Sequence, residues 1–97
     1  MEIKNVGMAG TLESSDIMIH IEKNEGKGIE IELKSTVESQ FGSQIKKVIT
    51  ATLEKMSVTD VLVRANDKGA LDCTIQARMI TAVNRAAGAN CQPWEVE

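Results

Sequence analysis

Apolar and polar residues alternate through 16–23, with Ile17, Ile19 and Ile21 on one face and Met18, His20 and Glu22 on the other, the period-2 pattern of a half-buried strand. The pattern returns in Ile29-Glu30-Ile31-Glu32-Leu33-Lys34. Between the two runs, Asn24-Glu25-Gly26-Lys27-Gly28 has the residues of a hairpin loop, so the spacing predicts an antiparallel pair. Upstream, Gly7-Met8-Ala9-Gly10-Thr11-Leu12 reads as a short edge strand. From Val37 to Met56 the period changes: Val37, Phe41, Ile45, Val48, Ile49, Leu53 and Met56 recur at three- and four-residue steps, a helical stripe. Ser35 with Glu38 forms a capping-box pattern at its start. The β-branched run 58–65 predicts a largely buried strand, closed by the turn Asn66-Asp67-Lys68-Gly69. Leu71, Ile75, Met79, Ala82, Val83 and Ala86 then predict a second helix from near Ala70, ended by Gly88. The order β-β-β-α-β-α predicts an α+β two-layer sandwich: a small, mostly antiparallel sheet with two helices on one face.

At 97 residues the chain has the length of one domain, 1–97, and no room for a second core. A domain of this size buries only roughly 60–65% of its unfolded surface, which disfavours an internal catalytic cavity. Eleven basic against fourteen acidic residues give a net charge of −3, the wrong sign for binding nucleic acid. Aromatic content of 2%, from Phe41 and Trp94, leaves no stacking platform for bases. There is no apolar run of membrane-spanning length and no leader pattern, so a cytoplasmic protein without membrane contact is expected.

Candidate chemistry is sparse. Cys73 and Cys91 lie too far apart for a CxxC motif, and with His20 they fall short of the four ligands of structural zinc, so no metal is expected. Both read as reduced thiols, with Cys73 packed in the core. His20, on the polar face of its strand, is the one histidine that could serve as a base, and an exposed surface histidine explains it. Glu30 and Glu32 are explained by solvated alternation, Met56 and Met79 by core packing, and Gly26 and Gly28 by the turn. No catalytic residue is expected. The segment Gly10-Thr11-Leu12-Glu13-Ser14-Ser15-Asp16 is a polar turn between two strands, stabilised by local side-chain hydrogen bonds. Hydroxyls at such a tip are accessible to a modifying enzyme.

The run Ala9-Gly10-Thr11-Leu12-Glu13-Ser14, the run Asp67-Lys68-Gly69-Ala70-Leu71-Asp72-Cys73, the following Ala77-Arg78 and the tail Pro93-Trp94-Glu95 resemble, in order and approximate spacing, the acyl carrier protein (gamma chain) of citrate lyase. The resemblance spans nearly the whole chain. It implies that Ser14 carries a 2'-(5''-phosphoribosyl)-3'-dephospho-CoA arm through a phosphodiester. Ser15 stands where the family pattern has glycine, placing a second hydroxyl beside the first. The resemblance further implies two enzymatic partners and an attaching transferase. The alpha subunit exchanges the arm's acetyl thioester for a citryl thioester. The beta subunit cleaves that to oxaloacetate and regenerates the acetyl carrier. The carrier itself performs neither step, in keeping with the absence of a catalytic set.

Two competing readings follow from the residues. One is an unmodified adaptor whose edge strand near 7–12 pairs with a partner strand. The other is a hydrolase, which requires His20 and a serine to converge. Glu13 and Asp16, flanking Ser14, offer negative charge toward a basic partner rim.

Overall fold

The computed structural model describes residues 3–35 and 38–88, with side chains of the first helix from Phe41 onward. The alternating runs become strands β1 (Gly7–Gly10), β2 (Ile17–Lys23) and β3 (Ile29–Ser35); helix α1 (Glu38–Lys55), strand β4 (Val61–Asp67) and helix α2 (Asp72–Ala86) follow. Both helices cover one face of the four-stranded sheet, α2 over β1 and β2 and α1 along β3. This is the two-layer α+β sandwich that the sequence pattern predicts.

The covered face is built in cross-strand rows. Ile21, Val63 and Ile31 are register partners, as are Ala9, Ile19, Ala65 and Leu33. Against them pack Ile45, Val48, Ile49 and Leu53 of α1 and Ile75, Met79, Ala82, Val83 and Ala86 of α2. The backbone of α2 approaches β1 so closely that a Cβ on Gly7 would lie 2.2 Å from the Ala82 carbonyl oxygen. Only glycine fits there.

The sheet is mixed. Its order is β1-β2-β4-β3, with β4 antiparallel to β2 and parallel to β3. The expected β2–β3 hairpin is therefore corrected: β4 lies between them. The 24–28 loop arches over the start of β4, where the Val61 amide donates to the Gly28 carbonyl (3.0 Å) and the Gly28 amide to Asp60 (3.2 Å). Gly26 and Gly28 take positive φ of 72° and 74°, which a tight hairpin and this wider arch would both require. Five residues reach well beyond the about 10 Å between second-neighbour strands. The unit β3-α1-β4 supplies the helical crossover that a parallel pair needs.

Three apolar residues assigned to the core by periodicity are exposed. Phe41 is 52% accessible and Leu71 69%. Cys73, expected in the core, is also at the surface. For Leu71 and Cys73 the reason is that α2 begins at Asp72, later than predicted: Gly69 has φ +91° and Leu71 is extended. Cys73 then lies almost opposite Ile75 around the helix. Ser35 ends β3, and its hydroxyl donates to Asp67. The start of α1 expected at Val37, along with Cys91 and the Pro93-Trp94 tail, lies outside the described residues.

The β1 edge is short, and its Met8 carbonyl accepts a hydrogen bond from Arg85 at 2.6 Å. A side chain thus occupies backbone that an added strand would need.

Candidate functional site

The segment between β1 and β2 folds into a turn in which the Asp16 amide donates to the Glu13 carbonyl (3.2 Å). Ser14 and Ser15 occupy its two central positions, and both are exposed. Among the described residues no hydrogen bond engages either hydroxyl. Ser15 has φ +64°, the left-handed conformation that the third position of several turn types requires and glycine adopts most readily. This is the position where the sequence resemblance leads one to expect glycine.

The base of the turn is fastened from three sides. Thr11 donates its hydroxyl to Asp16 at 2.7 Å and accepts the Glu13 amide at 3.2 Å. Arg78 grips Asp16 with two prongs, Nε to Oδ1 at 3.1 Å and Nη2 to Oδ2 at 2.9 Å. The backbone pairs reciprocally with Lys68, the Ser15 amide donating to the Lys68 carbonyl (2.8 Å) and the Lys68 amide to the Asp16 carbonyl (2.9 Å). Hydrogen bonds from Arg78, from Thr11 and from the Ile17 amide hold the Asp16 carboxyl well below the usual carboxylate range, and Asp16 raises the Arg78 guanidinium in turn.

Lys68 is itself held. Asp67, fully buried at the end of β4, accepts from the Ser35 hydroxyl (2.8 Å), the Gly69 amide (3.0 Å) and the Ala70 amide (2.9 Å). The two motifs that lie more than fifty residues apart in sequence thus form one end of the molecule, and Arg78 joins them to α2. Beside the second motif an open groove of about 370 Å³ is lined by Phe41, Ile45, Ala70 and Leu71 among others.

The other candidates lie elsewhere. His20 sits three residues into β2 on the uncovered face, register partner of Met8 and Arg64. Its Nε2 is 3.7 Å from Glu22 and makes no hydrogen bond among the described residues. Among the described residues no serine hydroxyl hydrogen-bonds this nitrogen, so the structure does not bring together the His20–serine pair that the hydrolase reading requires. Glu32 faces Arg64 at 3.7 Å, and Glu30 is exposed on the same strand face. No cluster of metal-ligating side chains occurs among the described residues, and no described helix is long and apolar enough to cross a membrane. Asp16 is committed to Arg78, which leaves the exposed Glu13 as the acidic neighbour of Ser14 without an ion pair among the described residues. Asp16, expected from the sequence to offer charge to a partner, instead fastens the loop to Arg78, a use signalled in the sequence only by the later Ala77-Arg78 motif.

The malonate decarboxylase delta subunit (MdcD) family of acyl carrier proteins has a model that matches residues 4–86. A chain of a Pseudomonas malonate decarboxylase hetero-tetramer superposes with a TM-score of 0.71 at 14% identity, covering 89% of this chain and 92% of that one. The fold likeness is also found in homoserine kinase from Cytophaga hutchinsonii, at a TM-score of 0.58 and 12% identity, over 93% of this chain and 36% of that one. The citrate lyase acyl carrier protein of Streptococcus equi subsp. equi is 55% identical over 95 residues, 98% of this chain and 93% of its own. That of Lactiplantibacillus plantarum is 55% identical over 96 residues, 99% of each. The chain belongs to the citrate lyase acyl carrier protein family.

Proposed function

We propose that this chain is the acyl carrier subunit of a cytoplasmic citrate lyase complex and that Ser14 bears a 2'-(5''-phosphoribosyl)-3'-dephospho-CoA arm. The observation that carries this reading is an exposed hydroxyl, without a hydrogen bond among the described residues, on a loop anchored to the sheet and to α2. Such a loop fits a phosphodiester to a bulky group, because the hydroxyl is open to solvent while its backbone is fixed. When attached, the arm supplies a terminal thiol that holds acetyl or citryl groups as thioesters.

The chain's own residues do the rest. Thr11, Asp16, Arg78 and Lys68 hold the turn, and Asp67 holds the Lys68 segment. The sheet and helices make a rigid base from which a tethered thioester reaches the alpha and beta subunits at high local concentration. The attaching transferase is a further partner that must recognise this end of the molecule. The edge-strand adaptor reading is disfavoured by Arg85 on the Met8 carbonyl. The test is the mass and position of the modification in protein from a citrate-fermenting source, with Ser14→Ala expected to abolish it.

A further inference from the structure

Ser14 and Ser15 are adjacent, exposed hydroxyls, so exposure alone does not select one of them for attachment. Their backbones differ. Ser14 is the second residue of the 13–16 turn and carries no described hydrogen bond of its own. Ser15 is the third, with φ +64°, and its amide is fixed to Lys68 at 2.8 Å. A serine in this conformation is strained and stays there only if its surroundings hold it. The holding contacts converge on Asp16, the next residue, through Thr11, Arg78 and Lys68. Of these, Arg78 alone reaches the loop from a helix, 62 positions away.

We propose that Arg78 is a positioning residue that, through Asp16, fixes the turn so that Ser14 and not Ser15 accepts the arm. This rests on the carrier reading of Ser14. Attachment forms one Oγ–P bond and breaks one anhydride P–O bond of an activated phosphoribosyl donor. A phosphate-type leaving group departs, and the hydroxyl proton passes to a base of the attaching enzyme. Arg78 takes no part in those bonds. It removes the freedom of the turn to present the neighbouring hydroxyl, and misplacing a reacting group by about 1 Å lowers such a rate by up to about a hundredfold.

The test loads the unmodified chain with the attaching transferase and its donor, and reads rate and site by mass spectrometry with fragmentation across 11–17. Wild type is expected to carry one arm on Ser14. Arg78→Ala is expected to lower the saturated rate about tenfold or more with little change in apparent KM, and to place a detectable share of the arm on Ser15. Arg78→Lys, which keeps charge but not the fork, should fall between them. Asp16→Asn, nearly isosteric, should reproduce the redistribution in a chain whose melting shows it folded. Amide exchange at Ser15 and Lys68 should quicken in these variants while Ile19 and Val63 stay protected. Arg78→Ala loading Ser14 alone at the wild-type rate would overturn the proposal and leave the carrier reading intact. A wild-type chain that accepts no arm would overturn both.

Discussion

Ser35 and Asp67 are register partners at the ends of the parallel strands β3 and β4, and the Ser35 hydroxyl donates to the Asp67 carboxylate at 2.8 Å. That contact orients a buried carboxylate whose other bonds, to the Gly69 and Ala70 amides, shape the segment on which the Ser14 loop rests. The loop that presents Ser14 is therefore held, two steps removed, from inside the sheet.

Removing this carboxylate should be costly. Asp67→Ala removes the acceptor of the Gly69 and Ala70 amides and a hydrogen bond from Ser35, and a loss of about 2–4 kcal/mol is expected in chemical denaturation. Ser35→Ala should cost less, about 1–2 kcal/mol. Amide exchange at Lys68 and Ser15 should rise in both variants. Equal stability of Asp67→Ala and wild type would contradict this account of the loop.

Ser15→Gly should stabilise the chain. The substitution relieves left-handed strain at φ +64°, offset by the greater freedom of glycine in the unfolded state. A net gain of about 0.5–1 kcal/mol follows, a rise of a few degrees in Tm. Ser14 stays available, so loading should persist. A fall in Tm would show that Ser15 is not strained.

The Asp16–Arg78 pair should make stability depend on pH in acid. The Asp16 carboxyl is held below its ordinary value. Its contribution is therefore fully present above the unfolded pKa, near 4, and is lost as pH falls from there toward the lower folded value. Discounted for a guanidinium that is 40% exposed, the contribution is about 0.5–1 kcal/mol. The Tm difference between wild type and Asp16→Asn should be constant above pH 5 and shrink below pH 4. A difference that grows on acidification would contradict the pairing.

Glycine positions separate fold from turn. Gly7→Ala drives a Cβ to 2.2 Å from the Ala82 carbonyl oxygen, and α2 must move off β1, at a cost of about 3 kcal/mol or more. Gly26→Ala meets nothing within 4 Å and should cost about 1 kcal/mol from its positive φ alone. Thermal melts of the two variants decide the matter.

Periodicity identified the strands, both helices and most of the core, because Ile17, Ile19, Ile21, Ile49, Leu53, Ile75 and Met79 obey it strictly. It missed the insertion of β4 because a hairpin and a loop arching over a third strand use the same glycines. The signal was present in another form: a strand, an 18-residue helix and an apolar strand in sequence are the parts of a parallel crossover. Leu71 and Cys73 lie at the surface because a stripe does not say where a helix begins, and Phe41 because a stripe does not say how far along the helix the sheet beneath it extends. Ser14 stood out through the two motifs and the resemblance they carry. The clamp that supports it depends on Arg78 meeting Asp16, a tertiary contact that spacing alone does not encode.

Attachment at Ser14 is best examined by intact-mass spectrometry of the protein from cells actively fermenting citrate, with fragmentation across residues 11–17. The expected result is an added mass of one phosphoribosyl-dephospho-CoA, located on Ser14. An unmodified chain from such cells would contradict it.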